Sequence, residues 1–303
     1  MIKNVEDNMK SITVGMPIYN NANTLSKAIE SVRSQLGIDL KIILSDDGST
    51  DNSWEVCQQY ASIDKRITAV KQPSNLYYNN FKFVLDEADT PYFCWLAGDD
   101  YFAEGFLEKA IEVLEQQTDA VAAMGECWFY KNGECIDKAN GSYAIMHDSK
   151  EDRLVEYLSA STDNSRMYGV LRTHAAQQSF PTRLFYAYDY AFSALTLAFG
   201  KHVHIGGVSI YRDKTDAQAY RHMVRKDAKN TLTRLFPLYL MTWYLIKNKH
   251  ININWPIFKK LSMLNFNYHL NYCEVFHPKY HKFVVKMMNQ YTRQIGWRFK
   301  KRI

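Results

Sequence analysis

The sequence predicts an α/β fold, in which a mostly parallel sheet carries helices on both faces and a basic α-helical extension follows. Strand and helix signals alternate through the first third of the 303 residues, as is typical of parallel sheets. Acidic turns follow several predicted strands, and ligands bind at that edge of an open α/β sheet. After about residue 216 the hydrophobic pattern is helical, and the charge changes sign.

Apolar runs and the turn residues between them give the elements in chain order. The first predicted helix, for example, has Leu25, Ala28, Ile29 and Val32 at 3–4 spacing. The predicted strands are 12–16, 40–44, 67–70, 92–96, 120–129 and 202–211. A hairpin turn is predicted at 131–134. A second helix is predicted after Asp51, through about residue 61. The later predicted helices are 81–88, about 151–160, 173–179, 187–199, and roughly 217–248, 256–272 and 279–298.

The charge is distributed very unevenly along the chain. Residues 1–220 hold 20 Lys or Arg and 30 Asp or Glu, whereas residues 221–303 hold 17 and two. Aromatic residues lie among these lysines, as they do in segments at membrane interfaces. We therefore expect an anionic membrane surface as the partner of this tail, and no nucleic acid. Two alternatives stay open: a helical hairpin packed on the α/β domain with solvated lysines, or a nucleic-acid-binding arm.

Composition also suggests two units and a cellular location. We expect an α/β domain at 1–215, with halves at about 10–128 and 129–215, and a basic helical extension at 216–303. The apolar run at 235–246 has 12 residues, fewer than the roughly 20 needed to span a bilayer. The first ten residues are polar and acidic, unlike a secretory signal, and the five cysteines form no CxxC pair. A cytoplasmic protein, peripheral on the inner face of the plasma membrane, is expected.

Asp99 and Asp100 end an apolar run abruptly, and Gly98 allows the chain to turn before them. Two carboxylates after a buried strand are costly unless they bind something. Magnesium and manganese take oxygen ligands and commonly bridge carboxylates to substrate phosphates. The pair therefore predicts a metal–diphosphate site. The alternative is a helix cap before Phe106.

Two further loops belong to the same predicted sheet edge. Asp46-Asp47-Gly48-Ser49-Thr50-Asp51 follows the second strand, and its first two carboxylates can accept from base N–H groups or ribose hydroxyls. Taken alone, the motif could also be only a turn, with Ser49 to Asp51 as the cap of the helix that follows. Pro17-Ile18-Tyr19-Asn20 follows the first strand. These loops and Ala97-Gly98-Asp99-Asp100 should meet where ligands bind.

In this order and spacing, the motifs resemble those of the family 2 glycosyltransferases of GT-A fold. The resemblance covers about residues 10–215. It rests on Ile12-Thr-Val-Gly-Met-Pro-Ile-Tyr-Asn-Asn21, Lys41-Ile-Ile-Leu-Ser-Asp-Asp-Gly-Ser-Thr-Asp51 and Leu96-Ala-Gly-Asp-Asp100. It implies a GT-A fold, a nucleotide-sugar donor, Mn²⁺ or Mg²⁺ as cofactor, and transfer of a hexosyl or N-acetylhexosaminyl group. The acceptor implied is a bacterial surface glycan or a lipid-linked, lipopolysaccharide-like oligosaccharide.

The resemblance also assigns nucleotide and metal contacts. Pro17 and Tyr19 would pack on the base and ribose, and Asp46 would accept from the base, which favours a UDP-sugar. The implied nucleotide-sugar site comprises Pro17, Tyr19, Asn20, Asp46, Asp47, Asn75 and Asp99. The family's Asp-x-Asp metal motif reads Ala97-Gly98-Asp99 here, so Asp99 and its neighbour Asp100 would hold the metal. Asn79 stands where the family often has Arg, so a cation contact to the diphosphate is absent or supplied elsewhere.

Asp189 is the predicted catalytic base. It lies just inside an apolar helix, where burial should raise its pKa and prepare it to take a proton. The family 2 glycosyltransferases that the chain resembles have a Glu-Asp pair at this position, and the Asp is the catalytic base in inverting members. This chain has Tyr188-Asp189, so only the Asp is shared. The implied reaction is inversion, in which an α-linked donor gives a β-glycoside. The alternative is an N-cap of the helix at 190–199.

Three more residues have weaker signals. The family often offers a later His as a third metal contact, for which His204 and His222 are candidates. Arg172 would contact an anionic acceptor or a neighbouring acid.

An alternative function stays open, because the first Asp of the metal motif and the Glu before Asp189 are both missing. The alternative is a nucleotide-sugar-binding scaffold that has lost turnover.

Overall fold

The computed structural model describes residues 10–131, 133–160, 163–183, 185–214, 233 and 236–294. The strands are β1 (Ser11–Ile18), β2 (Asp39–Asp46), β3 (Ile67–Lys71), β4 (Tyr92–Trp95), β5 (Tyr101–Phe102), β6 (Ala120–Lys131), β7 (Glu134–Lys138), β8 (Val170–Arg172) and β9 (Lys201–Asp213). The helices are α1 (Leu25–Arg33), α2 (Ser53–Ile63), α3 (Tyr78–Asp86), α4 (Phe106–Gln116), α5 (Lys150–Ala160), α6 (Thr173–Ser179), α7 (Tyr188–Phe199), α8 (Tyr239–Lys247), α9 (Trp255–Phe276) and α10 (Pro278–Gln294), with a 3₁₀ turn at Ser165–Tyr168.

Within the described residues, these strands form one mixed sheet in the order β3-β2-β1-β4-β8-β6-β9-β5, and β7 pairs with β6. β1 to β4 are mutually parallel, as are β6 and β9. β8 lies antiparallel between β4 and β6, so β6 runs in the same direction as β4. The predicted α/β fold with a mostly parallel sheet is confirmed. β8 was not predicted, because a strand of three residues is too short to show a periodic pattern.

The centre of the sheet is buried on both faces. All eight residues of β1 are buried, which requires a helical layer on each side. Trp95, the last residue of β4, packs against Phe93, Phe180 and Phe192. Its indole N–H donates to the carbonyl of Phe81 at 3.0 Å. This packing fixes the point where the chain leaves the sheet for the predicted metal–diphosphate loop.

The C-terminal helices pack on the α/β domain. α8 lies against α7, and α9 lies against α5. Met241 and Leu245 of α8 and Ile257 and Leu261 of α9 are buried in the same core. No helix in the described part of the chain is long and apolar enough to cross a membrane.

Several predicted boundaries need correction. α4 follows Gly105, whose φ is 70°, and β5 separates it from Asp100, so Asp100 is not the cap of that helix. α3 begins at Tyr78, three residues before the predicted start. The β6–β7 hairpin forms where predicted, with Asn132 outside the described residues. Most of the predicted helix at 217–248 and the end of the one at 279–298 also lie outside the described residues.

Candidate active site

Hydrogen bonds join the three loops that leave the carboxyl ends of β1, β2 and β4. The backbone N–H of Asn20 donates to Ser49 Oγ at 3.0 Å, and the N–H of Thr50 donates to Asn20 Oδ1 at 2.8 Å. Thr24 Oγ1 donates to the carbonyl of Gly98 at 2.8 Å. The loops that the sequence placed at one sheet edge therefore form one connected surface.

Close packing at this edge explains two backbone features. A Cβ on Gly98 would lie 2.7–2.9 Å from the side chain of Asn21, which leaves no room for another residue there. Asn20 has a φ of 54°, a region that asparagine tolerates better than most residues. The turn leaves the ring of Tyr19 47% exposed, whereas Pro17 is buried within β1. Tyr19 therefore has the free ring face that a bound base could cover.

Asp46 is fully buried and has a spare acceptor atom. Its Oδ2 accepts the backbone N–H of Ser49 at 3.2 Å, while its Oδ1 is buried without a hydrogen-bond partner. Buried carboxylate oxygens almost always have a donor, so an unpaired one at a sheet edge suggests a donor on a ligand.

Asp47 differs from its neighbour because its carboxylate is already engaged. It accepts the backbone N–H groups of Leu76 and Tyr77 at 2.6 and 2.9 Å, and Asn75 Oδ1 also accepts from Tyr77 at 2.9 Å. Burial raises the pKa of Asp47, and these backbone hydrogen bonds oppose that shift. Asp47 and Asn75 thus hold the loop before α3 in place.

Asp100 is buried, and both of its carboxylate oxygens are engaged. Arg212 Nε donates to Oδ2 at 3.3 Å, and the backbone N–H of Asp213 donates to Oδ1 at 2.9 Å. Burial raises the pKa of Asp100 to about 7, although the positive charge of Arg212 acts to lower it.

Asp99, the residue before it, has a less occupied carboxylate. The backbone carbonyl of Asp99 accepts from the Tyr130 hydroxyl, but among the described residues no other residue donates to the Asp99 carboxylate. Burial raises the pKa of Asp99 as well.

Asp189 lies in the first turn of α7. The residue before the helix is Ala187, whose φ is 63°, so Asp189 is not the N-cap, although its Oδ1 accepts the N–H of Tyr190 at 2.9 Å. Burial raises the pKa of the Asp189 carboxyl, and a contact with the Asn164 side chain opposes that shift. Asp189 therefore combines a carboxyl of raised pKa with a place in the first turn of α7, which suits a proton acceptor.

Arg212 connects the Asp189 side of the site to the Asp100 side. Its Nη1 donates to Asn164 Oδ1 at 2.9 Å, and its guanidinium carbon lies 4.0 Å from the ring centroid of Tyr168. Sequence reasoning missed both Arg212 and Asn164. Arg212 follows the predicted strand at 202–211, and a cation at a strand's carboxyl end was the available signal. Its partners are 48 and 112 residues away, which no local pattern reveals.

Comparison with known proteins agrees with this geometry. The model of glycosyl transferase family 2 matches residues 13–179, more than half of the chain. The chain belongs to glycosyl transferase family 2. The glycosyltransferase GlyG of Streptococcus pneumoniae is 27% identical to it over 172 residues, which are 56% of this chain and 54% of GlyG. The GalNAc(5)-diNAcBac-PP-undecaprenol beta-1,3-glucosyltransferase of Campylobacter jejuni is 31% identical over 138 residues, 44% of this chain and 43% of that enzyme. The chain thus spans about half the length of these relatives.

Among solved structures, the chain is similar to residues 1–349 of S. aureus TarS in complex with UDP-GlcNAc. The TM-score is 0.59 at 15% identity, and the match covers 88% of this chain and 73% of that one. This likeness confirms the GT-A fold that the sequence motifs implied.

The donor atoms near Asp99 and Asp100 bear on the predicted metal site. Across the described ranges, no group of three or more His, Cys, Asp or Glu side chains is placed to hold a metal ion. Each carboxylate oxygen of Asp100 already accepts one hydrogen bond, from Arg212 or from the N–H of Asp213, so Asp99 is the less occupied of the two predicted ligands. Asp99 does fit as a single protein ligand, since Mg²⁺ is often bound through one or two carboxylates together with substrate phosphates and water. His204 instead accepts the N–H of Gly206 at 3.2 Å, and His222 lies outside the described residues.

Arg172 is not at this site, which corrects the expectation that it contacts an acceptor. It pairs with Tyr92, the first residue of β4, and so lies at the amino edge of the sheet. Its Nε donates to the carbonyl of Ala120 at 2.8 Å and its Nη2 to that of Leu114 at 2.5 Å. Both contacts are structural, because they hold the end of α4 to the start of β6.

Proposed function

We propose that this chain is an inverting glycosyltransferase that moves a hexosyl or N-acetylhexosaminyl group from a UDP-sugar to a hydroxyl of a glycan or lipid-linked oligosaccharide. One observation carries the proposal: Asp46, Asp99 and Asp189 belong to connected segments at one sheet edge, and two of them keep unused acceptor capacity. Asp189 reaches the same edge through Asn164 and Arg212.

The donor side of the proposal assigns direct and indirect roles. The unpaired Oδ1 of Asp46 would accept the N–H of uracil, and the exposed ring of Tyr19 would cover the base. Pro17, Asn20, Asp47 and Asn75 would shape the loops, since their described contacts are with backbone or core. The complexes of the similar TarS structure with UDP and with UDP-GlcNAc support a UDP-sugar as donor.

The proposed reaction is a single displacement at the anomeric carbon. Asp189 takes the proton of the acceptor hydroxyl, whose oxygen forms the new bond to C1 while the bond from C1 to the diphosphate oxygen breaks. The electron pair of that bond leaves with UDP. Attack comes from the face opposite UDP, so an α-linked donor gives a β-glycoside. Mn²⁺ or Mg²⁺ bound through Asp99 would neutralise the leaving diphosphate.

Release of UDP tests this function. The purified chain with manganese should release UDP from one member of a UDP-sugar panel, and UDP should raise its melting temperature by mass action. Asp189→Asn should bind UDP as the wild type does and fail to release it from the sugar. No UDP release from any UDP-sugar, with or without glycan acceptors, would refute the proposal.

A nucleotide-sugar-binding scaffold without turnover is the second candidate. Ala97 at the first position of the metal motif favours it, as does the lack of a three-ligand cluster in the described part of the chain. The Asp99→Ala and Asp189→Ala variants separate the two candidates in cells. An enzyme predicts altered surface glycans in both variants, whereas a scaffold predicts unchanged glycans in both.

The C-terminal helices support a place at the inner face of the plasma membrane. We propose a domain boundary near 215 and an extension, 216–303, that contacts anionic lipid. Trp255 is 72% exposed and stacks on Phe258. The other large, exposed apolar side chains of α8 to α10 are Leu240, Trp243, Ile246, Met263, Phe266, Tyr280, Phe283 and Met287. Exposed aromatic residues beside lysines are typical of surfaces that enter the lipid headgroup region.

Vesicle flotation tests the membrane proposal. The full chain should float with vesicles containing phosphatidylglycerol, and raising the salt concentration should weaken this, because the attraction to lipid is partly electrostatic. Trp255→Ser with Phe258→Ser should reduce flotation. Leu36→Ser is the matched control, since Leu36 is 76% exposed on the α/β domain. Equal flotation of both variants, or binding to RNA instead of vesicles, would contradict the proposal.

A further inference from the structure

Tyr77 combines a strained backbone with a side chain that adds little to the core. Its φ is 54° and its ψ is −124°, a region that glycine adopts readily and that other residues rarely adopt. The side chain is 61% exposed, so its burial offsets little of this strain. Strained residues persist where the surrounding structure holds them, and they cluster at ligand sites.

Hydrogen bonds from the backbone hold Tyr77 in this conformation. Asp47 accepts the N–H groups of Leu76 and Tyr77 at 2.6 and 2.9 Å, and Asn75 Oδ1 also accepts from Tyr77 at 2.9 Å. A Cβ on Gly48 would lie 3.5 Å from the backbone nitrogen of Asn75, so the two segments are in contact there. The segment after β3 is therefore fixed against the turn that follows β2.

Asp46, the last residue of β2, lies between this segment and Tyr19. It pairs with Ile18 of β1 on one side and with Lys71 of β3 on the other. Tyr19 follows Ile18 directly, and its side chain is 47% exposed. Two exposed tyrosines, Tyr19 and Tyr77, therefore flank a buried carboxylate whose Oδ1 has no hydrogen-bond partner.

We infer that Tyr19 and Tyr77 form a clamp on the nucleobase, with one ring on each face of the base and Asp46 at its edge. β1 and β3 are about 9.6 Å apart, twice the usual spacing of neighbouring strands. A base between two rings needs about 7 Å between the ring planes, a difference that side chains can close. The inference rests on the proposed uridine nucleotide and adds Tyr77 as a second ring that contacts the base.

Calorimetric titration of the full chain with UDP tests the clamp. Tyr77→Ala should weaken UDP binding about tenfold, because one ring is lost from a stacked base. Tyr77→Phe should bind UDP as the wild type does, because it keeps the ring. Leu36→Ala is the matched control, since Leu36 is 76% exposed and lies before β2 begins. Equal UDP affinity in Tyr77→Ala and the wild type would overturn the inference.

The melting temperature shows whether the ring of Tyr77 instead supports the fold. Glycine adopts a φ of 54° without strain, so Tyr77→Gly should keep or raise the melting temperature while it weakens UDP binding. A lower melting temperature together with weaker binding would assign the ring to the fold and overturn the inference.

Proton NMR of UDP reports the two rings separately. Rings on both faces should move the uracil H5 and H6 resonances upfield on binding, and Tyr19→Ala and Tyr77→Ala should each remove part of that shift. Loss of the whole shift in Tyr19→Ala would place a single ring on the base and contradict the clamp.

The clamp and the proposed function can fail separately. UDP binding that is weakened by Tyr77→Ala, in a wild type that releases no UDP from any UDP-sugar, would keep the clamp and refute the enzyme. Turnover of a UDP-sugar by the wild type, with the same UDP affinity in Tyr77→Ala, would keep the enzyme and refute the clamp.

Discussion

Arg172 and Arg212 are two partly buried arginines on strands of one sheet, and they serve different ends of it. Arg172, at the amino edge, donates to two backbone carbonyls that belong to α4 and β6. Arg212, at the carboxyl edge, donates to Asp100 and to Asn164, which contacts Asp189. The first holds α4 to β6, whereas the second holds Asp100, the residue that follows Asp99 in the acidic loop after β4.

The difference shows what marks a site in an α/β sheet. A buried charge alone does not mark it, since both arginines are partly buried. The unused acceptor atoms do: Asp46 Oδ1 has no partner, and the Asp99 carboxylate receives no donor from another described residue. Both lie at the edge where parallel strands end, which is where ligands bind in this fold class.

The largest expected effect is the loss of the base at the carboxyl edge. Asp189→Asn should lower kcat by about 10²- to 10⁴-fold, the range for removal of a general base. UDP binding should persist, because the donor loops do not use Asp189. Asp137→Asn is a suitable control, since Asp137 is exposed and pairs with Lys214. A reduction of kcat below tenfold would remove Asp189 from the chemistry.

The two arginines can be compared directly. Arg212→Met should lower the free energy of unfolding by about 3–5 kcal/mol, because Asp100 stays buried without its partner, and should also lower kcat. Arg172→Met should cost about 1.5–3 kcal/mol for lost charged hydrogen bonds and leave kcat unchanged. Chemical denaturation and steady-state rates measured on both variants check this. A loss of kcat in Arg172→Met would break the distinction between the two edges.

A buried histidine, His202, lies near the amino end of β9. His202 is fully buried, 3.2 Å from Arg166 Nη1, and burial and that cation hold its pKa well below the usual range. Below about pH 6.5, the unfolded chain binds a proton at His202 that the native chain does not. His202 should therefore lower the free energy of unfolding by up to about 1.4 kcal/mol per pH unit as the pH falls.

Chemical denaturation of the wild type and of His202→Gln between pH 7.5 and 5.5 measures how much His202 contributes to the pH dependence of the free energy of unfolding. The variant should show a weaker loss of stability on acidification, and the difference removes opposing contributions such as that of Asp100, whose pKa is raised. His147→Gln serves as the control, because His147 is exposed beside Glu156. Parallel pH profiles for wild type and His202→Gln would contradict the expected role.

The smallest expected effect concerns the exposed ring of Tyr19. Tyr19→Ala should weaken UDP binding by about 1–2 kcal/mol, in line with base stacking on aromatic side chains. The free energy of unfolding should change little, because nearly half of the ring is exposed. Calorimetric titration with UDP measures the effect, and unchanged affinity would place the base elsewhere.

Much of the fold and part of the site could be predicted from the sequence, for identifiable reasons. The alternation of strands and helices and the turns after β1, β2 and β4 are local signals, so the sheet and its acidic edge were predicted. The sequence could not show that Asp100 faces Arg212, that Asp47 holds the loop at Leu76, or that Arg172 lies at the far edge. Each depends on contacts between residues far apart in the chain, and β8, which carries Arg172, is too short to detect.

The configuration of the first product tests the central claim most directly. Proton NMR of UDP-GlcNAc, or of whichever UDP-sugar the protein accepts, incubated with enzyme, manganese and no acceptor reports the anomer formed when water replaces the acceptor. An inverting displacement with Asp189 as base predicts that the β-anomer of the free sugar forms first and that Asp189→Asn forms none. Initial formation of the α-anomer would contradict the account.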